Sequence, residues 1–158
     1  MKFARPVFVT RRVSFSAAHR YHNPTWNEEK NRQVFGPCNH RYGHGHNYEL
    51  EATVVGDVDP ETGMVMNLRD LDAVLKEVVV ARLDHRHLNE ELPEWKENIP
   101  TTENLAVDLW RRLAPRLERP NAQLFRVRLY ESATLFAEYY GSPIDQEGQE
   151  DNADDLHV

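Results

Sequence analysis

A chain of 158 residues with 40% apolar and 28% charged side chains has the size and composition of one soluble globular domain. Its net charge of −7 argues against a nucleic-acid binder, which needs a basic face, and no apolar run reaches membrane-spanning length. The single cysteine, Cys38, cannot form an internal disulfide, and Met1 to Pro6 lacks the apolar segment of a signal peptide, so a cytoplasmic location is expected. Asp145, Glu147, Glu150, Asp151, Asp154 and Asp155 follow Gly141 without a lysine or arginine. The body is therefore close to neutral, and an anionic substrate stays open.

In chain order, Val7 to His19 reads as a strand with Val13, Phe15, Ala17 and His19 on one face. Residues 20–43 read as a long polar connection containing Asn23-Pro24 and Gly36-Pro37. A second strand is predicted from His46 to Val55, ending in the Gly56-Asp57-Val58-Asp59-Pro60 turn region. Leu68, Leu71, Leu75, Val78 and Arg82 keep helical spacing, which predicts a helix over 68–83 with Asn67 as its N-cap. Asp84-His85 follows directly. A second helix is predicted from Thr101-Thr102-Glu103, with Leu105, Leu109 and Leu113 buried and Pro115 kinking or ending it. Asn121 to Glu131 alternates again, placing Phe125, Val127, Leu129 and Glu131 on one face, and Leu135 to Tyr140 gives a fourth strand. The order ββααββ predicts an α+β domain over 1–141, with a four-stranded antiparallel sheet and two helices on one face. Sheet edges left open favour a multimer. The acidic segment 142–158 has the composition of a disordered tail.

Chemistry concentrates between Cys38 and Tyr48. His44 and His46, one glycine apart, share a strand face and form half of a zinc site. His19, at the end of an apolar stripe, is the third candidate ligand; alone it would read as a buried, hydrogen-bonded histidine. Three imidazoles leave an open position on a metal for water or substrate. Cys38 can act as base or nucleophile where a neighbouring cation favours its thiolate. The Asp84-His85 pair can set an imidazole's tautomer. On their own terms Cys38 also reads as an inert small residue, Asp84 as a helix-end cap, and Glu131 as a carboxylate reaching solvent. The residues thus support a zinc lyase or hydrolase without naming its substrate.

Phe15-Ser16-Ala17-Ala18-His19, Cys38 through Tyr48, Thr62 to Asn67, Leu83-Asp84-His85, Pro100 to Asn104 and Leu129-Tyr130-Glu131 together resemble the 6-pyruvoyl-tetrahydropterin synthase family. The resemblance runs in order from about residue 7 to 140. It implies a tunnelling fold, in which three subunits close their sheets into a barrel and two trimers stack as a homohexamer with active sites between subunits. It implies zinc on His19, His44 and His46, with Cys38 abstracting a substrate proton and Asp84 and His85 as its partners. Glu131 resembles the carboxylate that anchors the pterin ring, and Thr102 and Glu103 resemble further pterin-pocket residues. The implied reaction converts 7,8-dihydroneopterin triphosphate to 6-pyruvoyl-5,6,7,8-tetrahydropterin with elimination of triphosphate.

A neighbouring branch makes 6-carboxy-5,6,7,8-tetrahydropterin for queuosine and related deazapurines. Five residues separate Cys38 from His44, the longer spacing associated with pyruvoyl formation. A third, aldolase branch tends to carry glutamate in place of the cysteine, and Cys38 argues against it. His40-Arg41-Tyr42 stand where the long-spacing members commonly carry Asn-Pro-Asn, a departure that bears on substrate preference. The reading from outside the enzyme class is a zinc-stabilised pterin-binding protein without turnover; Cys38 and Asp84-His85 weigh against it, because such a site needs no acid–base set.

Overall fold

A computed structural model of the chain describes residues 3–142. The acidic tail, beyond Ser142, lies outside the described residues. β1 (Val7–His19) runs antiparallel to β2 (His44–Gly56), with Val7 opposite Gly56 and His19 opposite His44. Side chains two apart share a face, so this register puts Phe15, Ala17 and His19 of β1 on the same side as His44, His46, Tyr48, Leu50, Ala52 and Val54 of β2. Phe15, Ala17 and the β2 stretch from Tyr48 on are buried there. The chain then adds β3 (Arg86–His87), β4 (Ala122–Ser132) and β5 (Leu135–Tyr139). The sheet order is β3-β1-β2-β4-β5.

The sheet is therefore five-stranded and mixed, rather than four-stranded and antiparallel, because β3 lies parallel to β1. Two residues carry no periodicity to read. What fixes them is local: the His85 N–H donates to the Ser16 carbonyl at 2.6 Å, and the Ser16 N–H donates to Asp84 Oδ1 at 2.7 Å. The chain leaving the second helical segment is thereby docked on the edge of β1.

Residues 20–43 hold more structure than a loop. α1 (Glu28–Phe35) is capped by Asn27, whose side chain accepts from the Lys30 N–H, and a 3-10 turn covers Gly36–Asn39. Asn31 is fully buried, and its side chain binds the Asn23 N–H and the carbonyls of Asn23, Trp26 and Asn27. One side chain thus organises the approach to Cys38. The predicted helix over 68–83 is divided into α2 (Leu68–Leu75), a π-helical turn (Lys76–Val80) and α3 (Ala81–Leu83). Asn67 caps it as expected, accepting from the Arg69 N–H. Leu71, Leu75 and Val78 are buried, but Leu68 is half exposed and Arg82 bonds Glu94 and Asp108 instead of extending the apolar stripe.

α4 (Leu88–Glu91) leads to α5 (Thr102–Leu117), capped by Thr101 and burying Leu105, Leu109, Leu113 and Leu117. Pro115 lies inside α5 and does not end it: it removes one backbone donor, while buried Leu117 holds the last turn in place. The inward sheet face, the Leu68–Leu83 segments and α5 enclose one apolar cluster. The opposite sheet face carries charge pairs, Arg12 with Glu49 and Glu51, and Arg128 with Glu138. No helix among the described residues is long and apolar enough to cross a membrane.

β4 departs from simple alternation twice. Its pairing with β2 slips between Thr53 and Val54, so Arg126 faces Thr53 and Leu124 faces Val54. Phe125 is left unpaired and is 37% exposed, packing against Phe8 with ring centroids 4.7 Å apart. Its predicted place on the Val127–Leu129 face is thus corrected by a bulge. The pairing with β5 slips again between Tyr130 and Ser132, leaving Glu131 at the irregularity. Bulges of this kind re-aim a side chain. Here the side chain is Glu131.

Candidate metal centre

The β1–β2 register does most of the assembly. It sets His19 opposite His44, with His46 two residues further along β2 on the same face. The three imidazole centroids lie 4.8 to 5.0 Å apart. His19 Nε2 and His44 Nε2 are 3.2 Å apart. Glu131 completes the group: one ligating atom from each of His19, His44, His46 and Glu131 lies within 4.8 Å of the others.

His19 is fully buried, and burial pushes its pKa down to about 4. Its Nδ1 sits 3.1 Å from the Pro100 carbonyl and 2.9 Å from the Tyr48 hydroxyl. A carbonyl only accepts, so Nδ1 carries the proton and Nε2 presents its lone pair to the centre. Burial and then the neighbouring His46 also lower His44. Neutral imidazoles are what metal ligation requires. His46 Nε2 is buried and makes no hydrogen bond, although Glu131 Oε1 lies 3.0 Å away, because the contact lacks hydrogen-bond geometry. A buried nitrogen without a partner, among converging nitrogen lone pairs, is satisfied by a cation. The residues fit a transition metal.

Glu131 does not reach for solvent, as its place at the end of a strand had suggested. Its side chain is 10% exposed. Oε2 accepts from Thr102 Oγ1, and the Tyr21 hydroxyl lies 3.5 Å from the same oxygen. Thr102 is buried at the first turn of α5, whereas Glu103, next in the helix, is exposed. Thr102 meets the histidine group through its hydrogen bond to Glu131. Tyr21 and Tyr48 were not foreseen. Tyr48 was within reach of the sequence reading, since it shares the face of His44 and His46 at period two.

Cys38 lies in the 3-10 turn, partly exposed, and lines with His44 a cavity of about 750 Å³. The turn is tied to the end of β1: the Tyr21 N–H donates to the Cys38 carbonyl at 2.8 Å, and the Asn39 amide donates to the Tyr21 carbonyl at 2.7 Å. Burial, and then the charge of Glu131, push the Cys38 thiol up.

Asp84 and His85 stand elsewhere. Asp84 Oδ2 lies 2.9 Å from His85 Nδ1, and the Ser16 N–H, followed by His85, holds the Asp84 carboxyl below its usual range. His85 has φ of 59°, in the left-handed region, and its side chain is 84% exposed. It lines a separate cavity of about 500 Å³ together with His46. Within one chain, then, Cys38 and the Asp84–His85 pair flank the histidine group without sharing a pocket.

A family model described as 6-pyruvoyl tetrahydropterin synthase matches residues 8–142. A 6-pyruvoyl tetrahydrobiopterin synthase of Poecilia reticulata is 44% identical over 134 residues, covering 85% of this chain and 90% of the relative. The solved 6-pyruvoyl tetrahydropterin synthase of Caenorhabditis elegans is 34% identical with a TM-score of 0.83, covering 90% of this chain and all of that one. A putative 6-carboxy-5,6,7,8-tetrahydropterin synthase of Archaeoglobus fulgidus is 38% identical over 95 residues, covering 60% of this chain and 73% of the relative. The match spans both strands of the histidine group, the Cys38 turn and the Glu131 bulge: this chain belongs to the 6-pyruvoyl tetrahydropterin synthase family.

Proposed function

We propose that the protein converts 7,8-dihydroneopterin triphosphate to 6-pyruvoyl-5,6,7,8-tetrahydropterin, eliminating triphosphate, with zinc held by His19, His44 and His46. The observation that carries this reading is the convergence of three histidines and Glu131 beside the cavity that Cys38 lines with His44. A zinc ion bound there supplies a Lewis acid that draws charge from the substrate's side-chain oxygens. The Glu131 side chain, pinned by Thr102, accepts N–H groups of the pterin ring and fixes its orientation. Cys38 removes a proton from the carbon side chain. His85, with Nδ1–H held by Asp84, keeps Nε2 free to take up a proton.

Cys38 and His85 line separate cavities. The reading therefore places the working site between subunits of a homohexamer of the tunnelling fold. The apolar side chains exposed on and beside the outer strand β5, Leu135, Phe136 and Tyr140, support such an assembly. Formation of 6-carboxy-tetrahydropterin is the second reading; it is favoured less, because the archaeal relative that carries that name covers only 60% of this chain. The location is the cytoplasm.

Replacing Cys38 with alanine tests the role set. Turnover falls to background while bound zinc, counted by elemental mass spectrometry, stays at the wild-type level. Loss of zinc makes Cys38 a ligand and overturns its assignment as base.

A further inference from the structure

The cavity that holds Cys38 and His44 opens outward between α1 and residues 40–43, and its outer wall is cationic. Arg20, Arg32, Arg41 and His40 line it, with Glu28 as its one carboxylate. A neighbouring cavity of about 400 Å³ shares Arg20 and Arg41 and adds Lys96, with Glu90 as its one carboxylate. Those two arginines therefore stand on the ridge common to both cavities.

Nine of the other arginines are already committed. Arg11, Arg12, Arg32, Arg82, Arg86, Arg112, Arg116, Arg126 and Arg128 all pair with carboxylates. Among the described residues, no carboxylate pairs with Arg20 or Arg41. Arg20 is nonetheless held. Its Nε donates to the Asn39 carbonyl at 3.1 Å, and the Asn89 amide binds its backbone N–H and carbonyl. That leaves the outer nitrogens of the guanidinium uncommitted to side chains. Arg41 is exposed and lies over the Tyr42 ring, 5.4 Å from its centroid. In a chain with net charge −7, two unpaired guanidinium groups facing one concavity form an anion site.

Polarity thus runs in one direction through the site. Glu131, 10% exposed, sits with the histidine group, of which His44 lines the cavity beside Cys38, and Arg41 is exposed at the cavity's rim. A ligand with ring N–H donors at one end and a polyanion at the other can lie along this axis in one orientation only, since reversal sets phosphate against Glu131. We propose that Arg20 and Arg41 form a polyphosphate subsite that binds the triphosphate of the substrate and sets the preference for phosphorylated over phosphate-free pterin. The substrate assignment rests on the function proposed above; the anion site rests on the arginines alone.

Isothermal titration of the zinc-loaded full chain separates the two. The probes are inorganic tripolyphosphate and phosphate-free 7,8-dihydroneopterin. Arg41→Gln weakens tripolyphosphate by about tenfold, the worth of one charge-assisted contact, and leaves dihydroneopterin within about twofold. Arg41→Lys, which keeps the charge and loses the fork, falls between. Arg20→Gln acts in the same direction; if it lowers the thermal midpoint through the Asn39 contact, Arg41→Gln, on the exposed rim, carries the test. Tripolyphosphate that does not bind the wild type, or binds Arg41→Gln equally well, overturns the subsite. Tripolyphosphate bound with this arginine dependence, but no binding of dihydroneopterin, upholds the subsite and overturns the pterin reading.

Discussion

Thr102→Val removes one buried hydroxyl from the site and keeps its volume. Thr102 is 3% exposed, and its Oγ1 is the close donor to Glu131 Oε2; the Tyr21 hydroxyl, at 3.5 Å, is too distant to replace it. A hydrogen bond to a charged group contributes about 1.5–3 kcal/mol, and most of that is lost when a buried acceptor is left unmatched. The variant should therefore lose about 2 kcal/mol, which lowers the thermal midpoint of a domain this size by about 4–8 °C. Scanning calorimetry at fixed protein concentration, with zinc removed, measures it without the added stability of bound metal. Affinity for 7,8-dihydroneopterin should fall as well, because the freed carboxylate loses its aim. Thr102→Ser keeps the donor and should retain most of both. A Thr102→Val midpoint within about 1 °C of wild type, with unchanged pterin affinity, refutes the positioning role.

Gly43→Ala attacks the same centre through the backbone. Gly43 has φ of 71°, and a Cβ there would sit 2.5 Å from the His19 carbonyl oxygen and 2.9 Å from His87 Nε2. The cost should exceed about 2 kcal/mol, and zinc occupancy by elemental analysis should drop; normal occupancy and midpoint would show that the turn before His44 is free to shift. Glu131→Gln should weaken dihydroneopterin binding more than zinc binding, and a larger loss of zinc would make Glu131 a ligand. In the metal-free chain His19 titrates at about 4 rather than 6.5 because it is buried. The unfolded chain therefore takes up the proton first, so stability is intact above pH 6.5 and lost as pH falls toward 4. At about 1.4 kcal/mol per unit, roughly 2–3 kcal/mol disappears over that window. Urea titrations of wild type and His19→Gln should differ in pH slope by this amount; equal slopes would contradict burial as the cause.

What was legible in the sequence was whatever repeats. Period two put His44 and His46 on one face and His19 at the end of β1's apolar stripe, and helical spacing found Leu105, Leu109 and Leu113. α1 was missed because only Val34 and Phe35 give it apolar character, yet its boundary signals were present: the Asn27 cap, Glu28 and Glu29 in the first turn, and Gly36-Pro37 after the last. The Phe125 error came from a bulge that alternation cannot register. Glu131 was misjudged from its residues alone for the same reason, since a second irregularity turns it toward Thr102 and the histidines. The thiolate expected at Cys38 depends on a cation bound by the histidines; from the protein's own groups, burial and the charge of Glu131 raise the thiol. Asp84 and His85 are in contact at 2.9 Å, but nothing in a linear chain reveals that His85 faces a different cavity from Cys38.

The central claim is the identity of the product. Zinc-loaded protein incubated with 7,8-dihydroneopterin triphosphate, followed by mass spectrometry of the pterin and assay of released triphosphate, tests it directly. The expected products are 6-pyruvoyl-tetrahydropterin and triphosphate in equal amounts. A 6-carboxy-tetrahydropterin product with acetaldehyde, or no turnover by protein that holds its zinc, would contradict it.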